Sequence, residues 1–309
     1  MATTGYPHGI YTSEQATSIL PARTVDSAVV FAVGTAAVHT LAEDKARPVN
    51  VPQLFYSYDE AVQAMGWDAD HFGDYSLQEL IYSHFAIYRG APVVCVNVFD
   101  PEKHKSEVAD ESLTFGTSAL DKNTARAVER KDELGETIYE AGTDYSVDAV
   151  SGLLTRLADG SIPEGGTVKA GYVYADVSKV TPEDVIGGID PASGQGTGLE
   201  LIDEVYPRFR LVPSIVLAPQ FCEDPAVAVV IGAKAANING HFKATGLVDV
   251  PSSVAKYTDV PAWVKDNNLT DPALQIFFGS PVFGNAVEHG SVHLAATVAS
   301  RDADNEGVP

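Results

Sequence analysis

The sequence predicts an α/β fold: a layered core with a largely parallel sheet and helices, a small antiparallel β domain inserted into it, and an N-terminal arm. Three observations predict this. Apolar, β-branched runs of strand length recur along the chain. Amphipathic helical stretches lie between most of them. One polar segment then interrupts the rhythm with short alternating strands and dense turn signals. The expected division is an arm at 1–20, core at 21–104 and 176–309, and the insert at 105–175.

The first twenty residues open on Gly and Pro punctuation, "GYPHGIYTSEQATSIL", and then turn β-like, which fits a terminal arm. The core strands are "SAVVFAVG" (27–34), "APVVCVNVF" (91–99), "VPSIVLAP" (212–219), "KATGLVDVP" (243–251) and "LQIFFG" (274–279). Their apolar character is continuous rather than alternating, as expected of strands buried on both faces of a parallel sheet. Between them, "SLQELIYSHFAIYRG" (76–90) reads as a helix with Ser76 as N-cap, Glu79 three residues on in capping-box spacing, and Gly90 as its C′ residue. "DPAVAVVIGAKAANING" (224–240) starts on Asp-Pro and stops at Asn239-Gly240. "VEHGSVHLAATVASRDAD" (287–304) reads as a last helix.

From about 105 to 175 no long apolar run occurs. The second half of that segment carries the turn signals "AGTD", "VSG", "ADGS" and "PEGG" between short strands, hence the antiparallel unit. It is entered near Asp100-Pro101 and left near Asp176. The preceding "SEVADESLTFGTSALDKNTARAVERKDE" has no assignment from pattern alone.

Composition excludes several function classes. The 309 residues are 45% hydrophobic, ample for a core, yet no run of about eighteen apolar residues would span a bilayer. The start lacks the basic and apolar regions of a signal peptide. Cys95 and Cys222 read as free buried thiols, consistent with synthesis in a reducing compartment. A net charge of −22, with few and scattered basic residues, is incompatible with neutralising phosphates, so nucleic acid is excluded as a partner. The same charge keeps subunits apart unless complementary patches or cations offset it.

The motif search for chemistry returns little. "GGIDPASGQGTG" (187–198) holds five glycines in twelve residues. A dinucleotide fingerprint fails at Leu199, and a Walker A loop fails at Gln195, so the reading is a flexible turn before a helix. Asp68, Asp70, Gly73 and Glu79 fall on EF-hand spacing, but Phe72 occupies a ligand position. These residues are the metal candidate, set against a role for the aspartates at a helix start. His289 and His293 share a helix face without the glutamate or third ligand of a zinc site. No G-x-S-x-G elbow occurs. Arg208 and Arg210 in "RFRLVP" point one way on an expected strand, where they meet an anion or, more ordinarily, pack or pair between subunits. No catalytic or cofactor-binding residue emerges.

The ordered series of segments resembles the contractile phage tail sheath proteins, in particular those of P2-like and Mu-like phages or prophages and of phage-tail-like bacteriocins. The features are "YPHGIYTSE" followed by "SAVVFAVGTA", then "PQLFYSYDEAVQAMGW" and the inserted "ETIYEAGTDYSVDAVSGLLTRL", then "TPEDVIGGID", "GTGLELIDEVYPRFRLVPSIVLAPQF" and "DPAVAVVIGAKAANINGHFKATGLVDVP". The likeness covers essentially the whole chain, and no single motif decides it. It implies subunits in stacked hexameric rings around a tail tube, contracting without ATP to drive the tube through an envelope. Its implied partners are other sheath subunits, the tube protein, the baseplate and the tail terminator, with no cofactor and no membrane. Its implied location is the virion tail, after synthesis in the host cytoplasm.

Neighbours in that family add arm strands to each other's sheets, so Tyr6, Ile10 and Tyr11 are the expected assembly residues, and the helix near 287–304 is the nearest candidate for the tube contact. The glycine run becomes the loop by which the chain re-enters the core. Family members continue well past the stretch matching "LAATVASRDADNEGVP", so a chain ending at Pro309 is expected to be monomeric or weakly associating, with an open sheet edge. Two other readings remain open here: an α/β enzyme with an unrecognised site, and a glycan-binding module in the β insert.

Overall fold

A computed structural model describes residues 28–305 except 43, 91, 116–124, 133–137, 149–152, 192 and 284–285. The expected arm, with Tyr6, Ile10 and Tyr11, lies outside the described residues. In chain order the first elements are β1 (Val30–Gly34), β2 (Gln53–Phe55), α1 (Tyr58–Met65), α2 (Ser76–Ile81) and β3 (Val93–Asn97). The β unit follows as β4 (Lys105–Thr114), β5 (Ala125–Asp132), β6 (Tyr145–Asp148), β7 (Leu153–Arg156) and β8 (Thr167–Ala175). Then come α3 (Pro182–Ile186), β9 (Gly188–Ile189), β10 (Gly196–Thr197), α4 (Val205–Phe209), β11 (Ile215–Leu217), α5 (Pro225–Ala236) and β12 (Thr245–Asp249). The last are α6 (Val260–Asp266), β13 (Leu274–Phe277), β14 (Val282–Phe283), β15 (Ala286–Val287) and α7 (Gly290–Asp304).

Six strands form the main sheet in the order β13-β12-β11-β1-β3-β2. All neighbours are parallel except β2, which runs antiparallel to β3. The five continuous apolar runs become the five parallel strands. Every residue of β1, β3 and β11 is buried, which requires cover on both faces. The chain supplies it by reversing direction. The crossover from β1 through α1 and α2 leads one way along the sheet, whereas those through α5 and α6 lead the other. Right-handed crossovers of opposite direction put their helices on opposite faces. Each fully buried valine or leucine in this layer contributes about 1.5–3 kcal/mol relative to exposure. The edge strand β2, "QLF", was not read from the sequence; three residues are too few for a periodic signal.

Two terminal assignments in the second helix need correction. Ser76 is the first helical residue rather than the cap, which is Tyr75. Glu79 therefore forms no capping box; its carboxylate is drawn to His289 instead. Beyond Ile81 the helix widens into a π-helical stretch, Tyr82–Ile87, where the Ser83 hydroxyl donates back to the carbonyls of Glu79 and Leu80. The left-handed residue that ends it is Arg89, with φ 58°, not Gly90. Glycine is needed at 90 for space, because a Cβ there would lie 2.7 Å from His84 Nε2.

The polar segment folds as β4-β8-β5, a three-stranded antiparallel sheet, with β6 and β7 as a separate hairpin. The stretch without assignment supplies β4 and β5. Its charged residues hid strands that carry one apolar face at most. Leu113, Tyr139, Tyr145, Ile162, Val168 and Tyr172 form a small core of their own. At its base Asp176 N donates to the His104 carbonyl at 2.9 Å, and Lys103 pairs with Asp184 at the start of α3.

Besides His104, whose Nε2 lies 3.5 Å from Asp184, two histidines are buried without satisfied rings. His39 Nδ1 and both ring nitrogens of His84 have no hydrogen-bond partner among the described residues. Burial holds each pKa down at about 4, against an ordinary 6.5. The unfolded chain then takes up protons first as pH falls, so stability is present above pH 6.5 and is lost toward pH 4. Urea denaturation at pH 7 and pH 4.5 checks this: each histidine accounts for a loss on the order of 2 kcal/mol, and His84→Leu removes its share without loss of stability at pH 7.

Candidate functional site at the carboxyl ends of the parallel strands

In doubly wound sheets, ligands bind where the strand order reverses, at the carboxyl ends of the strands. Here that point lies at the end of β1, between β11 and β3. The space is filled by the protein's own groups. Thr35 N donates to Ser76 Oγ at 3.0 Å, and Ser76 N donates to Thr35 Oγ1 at 3.0 Å. Leu77 N donates to the Thr35 carbonyl at 2.9 Å, seating the start of α2 directly on the strand end. A Cβ on Gly34 would lie 2.2 Å from Ser76 Oγ, so only glycine admits this approach. Beside it, the buried Asn97 accepts from Ala36 N and Phe99 N and donates to the carbonyls of Pro48 and Phe99. All four capacities of the amide are used in holding chain.

A second polar group occupies the ends of β11 and β12. Asp249, buried at the end of β12, accepts from Ser291 N at 2.8 Å and from Ser291 Oγ at 2.5 Å. Cys222 Sγ donates to the same carboxylate at 3.3 Å, and Asp249 N donates to Cys222 Sγ at 3.4 Å. Burial, then the Asp249 charge, push the Cys222 thiol well above its usual range, so it remains a protonated donor. At the foot of α7, His289 N and Nδ1 both meet the Glu79 carboxylate, the latter at 2.8 Å. His289 Nε2 is 4.0 Å from Glu223. Burial pulls the His289 pKa down, but the Glu79 hydrogen bond and the charges of Glu79, Asp249 and Glu223 outweigh it and leave the pKa raised. His293 Nε2 meets Glu288 at 2.7 Å, and its Nδ1 faces the Tyr88 hydroxyl at 3.1 Å. Burial and the Glu79 charge raise Glu288 despite that bond.

The residues singled out in the sequence go to different places. Asp68 Oδ1 accepts from Asp70 N and His71 N at 3.1 Å each, closing a turn before α2, and its other oxygen faces His71 Nδ1. Asp70 is exposed and Glu79 faces α7, while Phe72 packs against Trp67 and Tyr82. The EF-hand spacing is thus divided between a turn and a helix–helix tie. Among the described residues, no group of three or more His, Cys, Asp or Glu is arranged to hold a metal ion. His289 and His293 each pair with a glutamate rather than with a shared ion. Arg208 and Arg210 lie at the end of α4, not on a strand: Arg208 pairs with Glu204, and Arg210, with φ 61°, covers the Tyr206 ring. Cys95 and Cys222 are free and buried, as read from the sequence. Asp249, Ser291 and Asn97 went unread, and for Asn97 and Asp249 the available signal was a polar residue closing an apolar run, as in "VVCVN" and "TGLVD".

The glycine run is a packed hairpin rather than a flexible turn. β9 and β10 pair antiparallel, and Gly198 N donates to Asn50 Oδ1 at 2.9 Å. Gly187, φ 69°, would place a Cβ 1.9 Å from the Thr197 carbonyl oxygen. Gly194, φ 70°, has open space around it.

The sheet ends in two edges, β2 and β13. Close in sequence to β13 are the exposed apolar residues Phe278 (40%), Val282 (69%) and Val287 (69%). No described helix is long and apolar enough to cross a membrane.

No protein-family model matches the chain. Over 251 residues, 80% of its length, the chain is 34% identical to the tail sheath protein of Burkholderia phage BcepMu. It spans about half, 49%, of that relative's length. The resemblance read from the ordered segments is therefore shown by sequence identity as well.

The hairpin geometry separates two glycines of equal φ. Gly187→Ala combines left-handed strain with a backbone clash and costs about 2–4 kcal/mol in urea denaturation. Gly194→Ala meets only the strain and costs about 1–2 kcal/mol.

Proposed function

We propose, on the premise that this chain is a homologue of phage tail sheath proteins, that it is a structural subunit of a contractile tail sheath. Identity of 34% across four fifths of the chain is the observation that carries this reading. Subunits stack as hexameric rings around a tail tube, and contraction drives the tube through a cell envelope. The partners are other sheath subunits, the tube protein, the baseplate and the tail terminator. The particle is assembled in the bacterial cytoplasm and works as part of the virion tail.

The geometry supports a mechanical role. The crevice that a doubly wound sheet offers to ligands is filled by Ser76, Leu77 and Asn97, and the polar groups beside it tie helices to strand ends. Among the described residues, the edge strands β2 and β13 each have one flank without a ladder partner, to which an extended segment of a neighbour adds as a further strand. With a net charge of −22, contact between copies rests on such backbone ladders and apolar side chains while like charges oppose it. Tyr6, Ile10 and Tyr11 are the arm residues we assign to this exchange, and α7 is the element we assign to the tube side. Residues 105–175 form an inserted domain that can be removed without unfolding the core.

Negative-stain electron microscopy of the protein in its full natural length tests the assembly. Wild type forms hollow tubes of stacked rings. The triple substitution Tyr6→Ser, Ile10→Ser, Tyr11→Ser leaves folded subunits that form none. Discrete wild-type monomers at every concentration, or tubes unaffected by the substitutions, would contradict the proposal.

A further inference from the structure

We infer that the contact between His289 and Glu79 is a pH-sensitive latch that holds the foot of α7 against α2 and the end of β12. It rests on the placement of charge, independently of the sheath reading. The groups around His289 come from four elements. Glu79 faces it from α2, with both oxygens engaged by the His289 backbone N–H and Nδ1. Glu223 faces Nε2 from the turn before α5. Asp249 lies at the end of β12, bonded to Ser291 two residues along α7. Glu288 precedes His289 directly and is engaged by His293, whose other nitrogen meets Tyr88. Cys222 and Ser291 complete the group as neutral donors to Asp249.

Four carboxylates thus converge on two imidazoles. Among the described residues, none of the four forms an ion pair with a lysine or arginine. A protonated His289 is the charge that offsets Glu79, Glu223 and Asp249 together. When it loses the proton, those carboxylates face one another across a half-buried space, and α7 keeps only its neutral hydrogen bonds there. With the His289 pKa raised above 6.5, the stabilisation is complete below pH 6.5 and is lost as pH rises through the folded pKa. Ionisation of Glu288 and Glu223, both also raised, acts in the same direction. The buried His39 and His84 act in the opposite direction, but with values of about 4 they are already neutral above pH 6.5. The window above pH 6.5 therefore excludes the opposing contribution of those two histidines.

The test is an NMR titration of the histidine rings from pH 5.5 to 9, with His289→Gln as the assignment control. It is accompanied by amide exchange of Ser291–Leu294 referenced to α5. The latch predicts a His289 pKa above 6.5 and a loss of protection at the foot of α7 through that pKa, while α5 holds. In His289→Gln the step in protection at the wild-type His289 pKa disappears. A His289 pKa at or below 6.5, unchanged relative protection across the range, or a step at the wild-type His289 pKa that survives in His289→Gln would overturn the inference. Should the variant fail to fold, the wild-type titration alone still decides it.

Discussion

The constraint on which the other features depend is the burial of β1, β3 and β11 on both faces. Strands whose every residue is apolar and inaccessible cannot stand at a surface, so the chain must lay helices above and below them. Reversal of the crossover direction after β3 achieves this. It also creates the place where the sheet's strand ends open toward opposite faces. The many polar contacts of the core are concentrated there because strand ends are where backbone groups run out of ladder partners.

Those ends are closed by the protein's own side chains. Gly34 lets Ser76 approach the backbone, Thr35 and Ser76 exchange hydrogen bonds, and Asn97 ties four backbone groups. Asp249 performs the same service at β12, with Ser291 and Cys222 as donors. Each of these polar groups is matched inside the fold, so its contribution is to fix how the helices sit rather than to meet a small molecule. By our inference, the joint at His289 is one whose strength depends on a proton.

Much of the architecture was legible in the residues because continuous apolar runs and Asp224-Pro225 are local signals, although α5 stops at Ala236, before the turn at Asn239-Gly240. The run "AVAVVIGAKAA" became α5 with Asp224 capping Ala226, as its pattern required. What was not legible depended on partners distant in sequence. Glu79 has the spacing of a capping box and of an EF-hand ligand, yet its partner is 210 residues away. "RFRLVP" has the alternation of a strand, but Pro207 and the Tyr206–Arg210 contact turn it into the end of a helix. The glycines at 187 and 198 looked like slack, whereas they allow two backbone segments to touch. The strands β4 and β5 were hidden by their own charge, and β4 is largely exposed or half-buried along its length.

The 34% identity to a tail sheath protein carries our proposal that the chain works by contact with copies of itself. Copy number within a purified tail particle measures this most directly. Quantitative mass spectrometry of particles from producing cells should find many copies of the protein per particle, in constant ratio to the tube subunit. A single copy per particle, or none, would contradict the account.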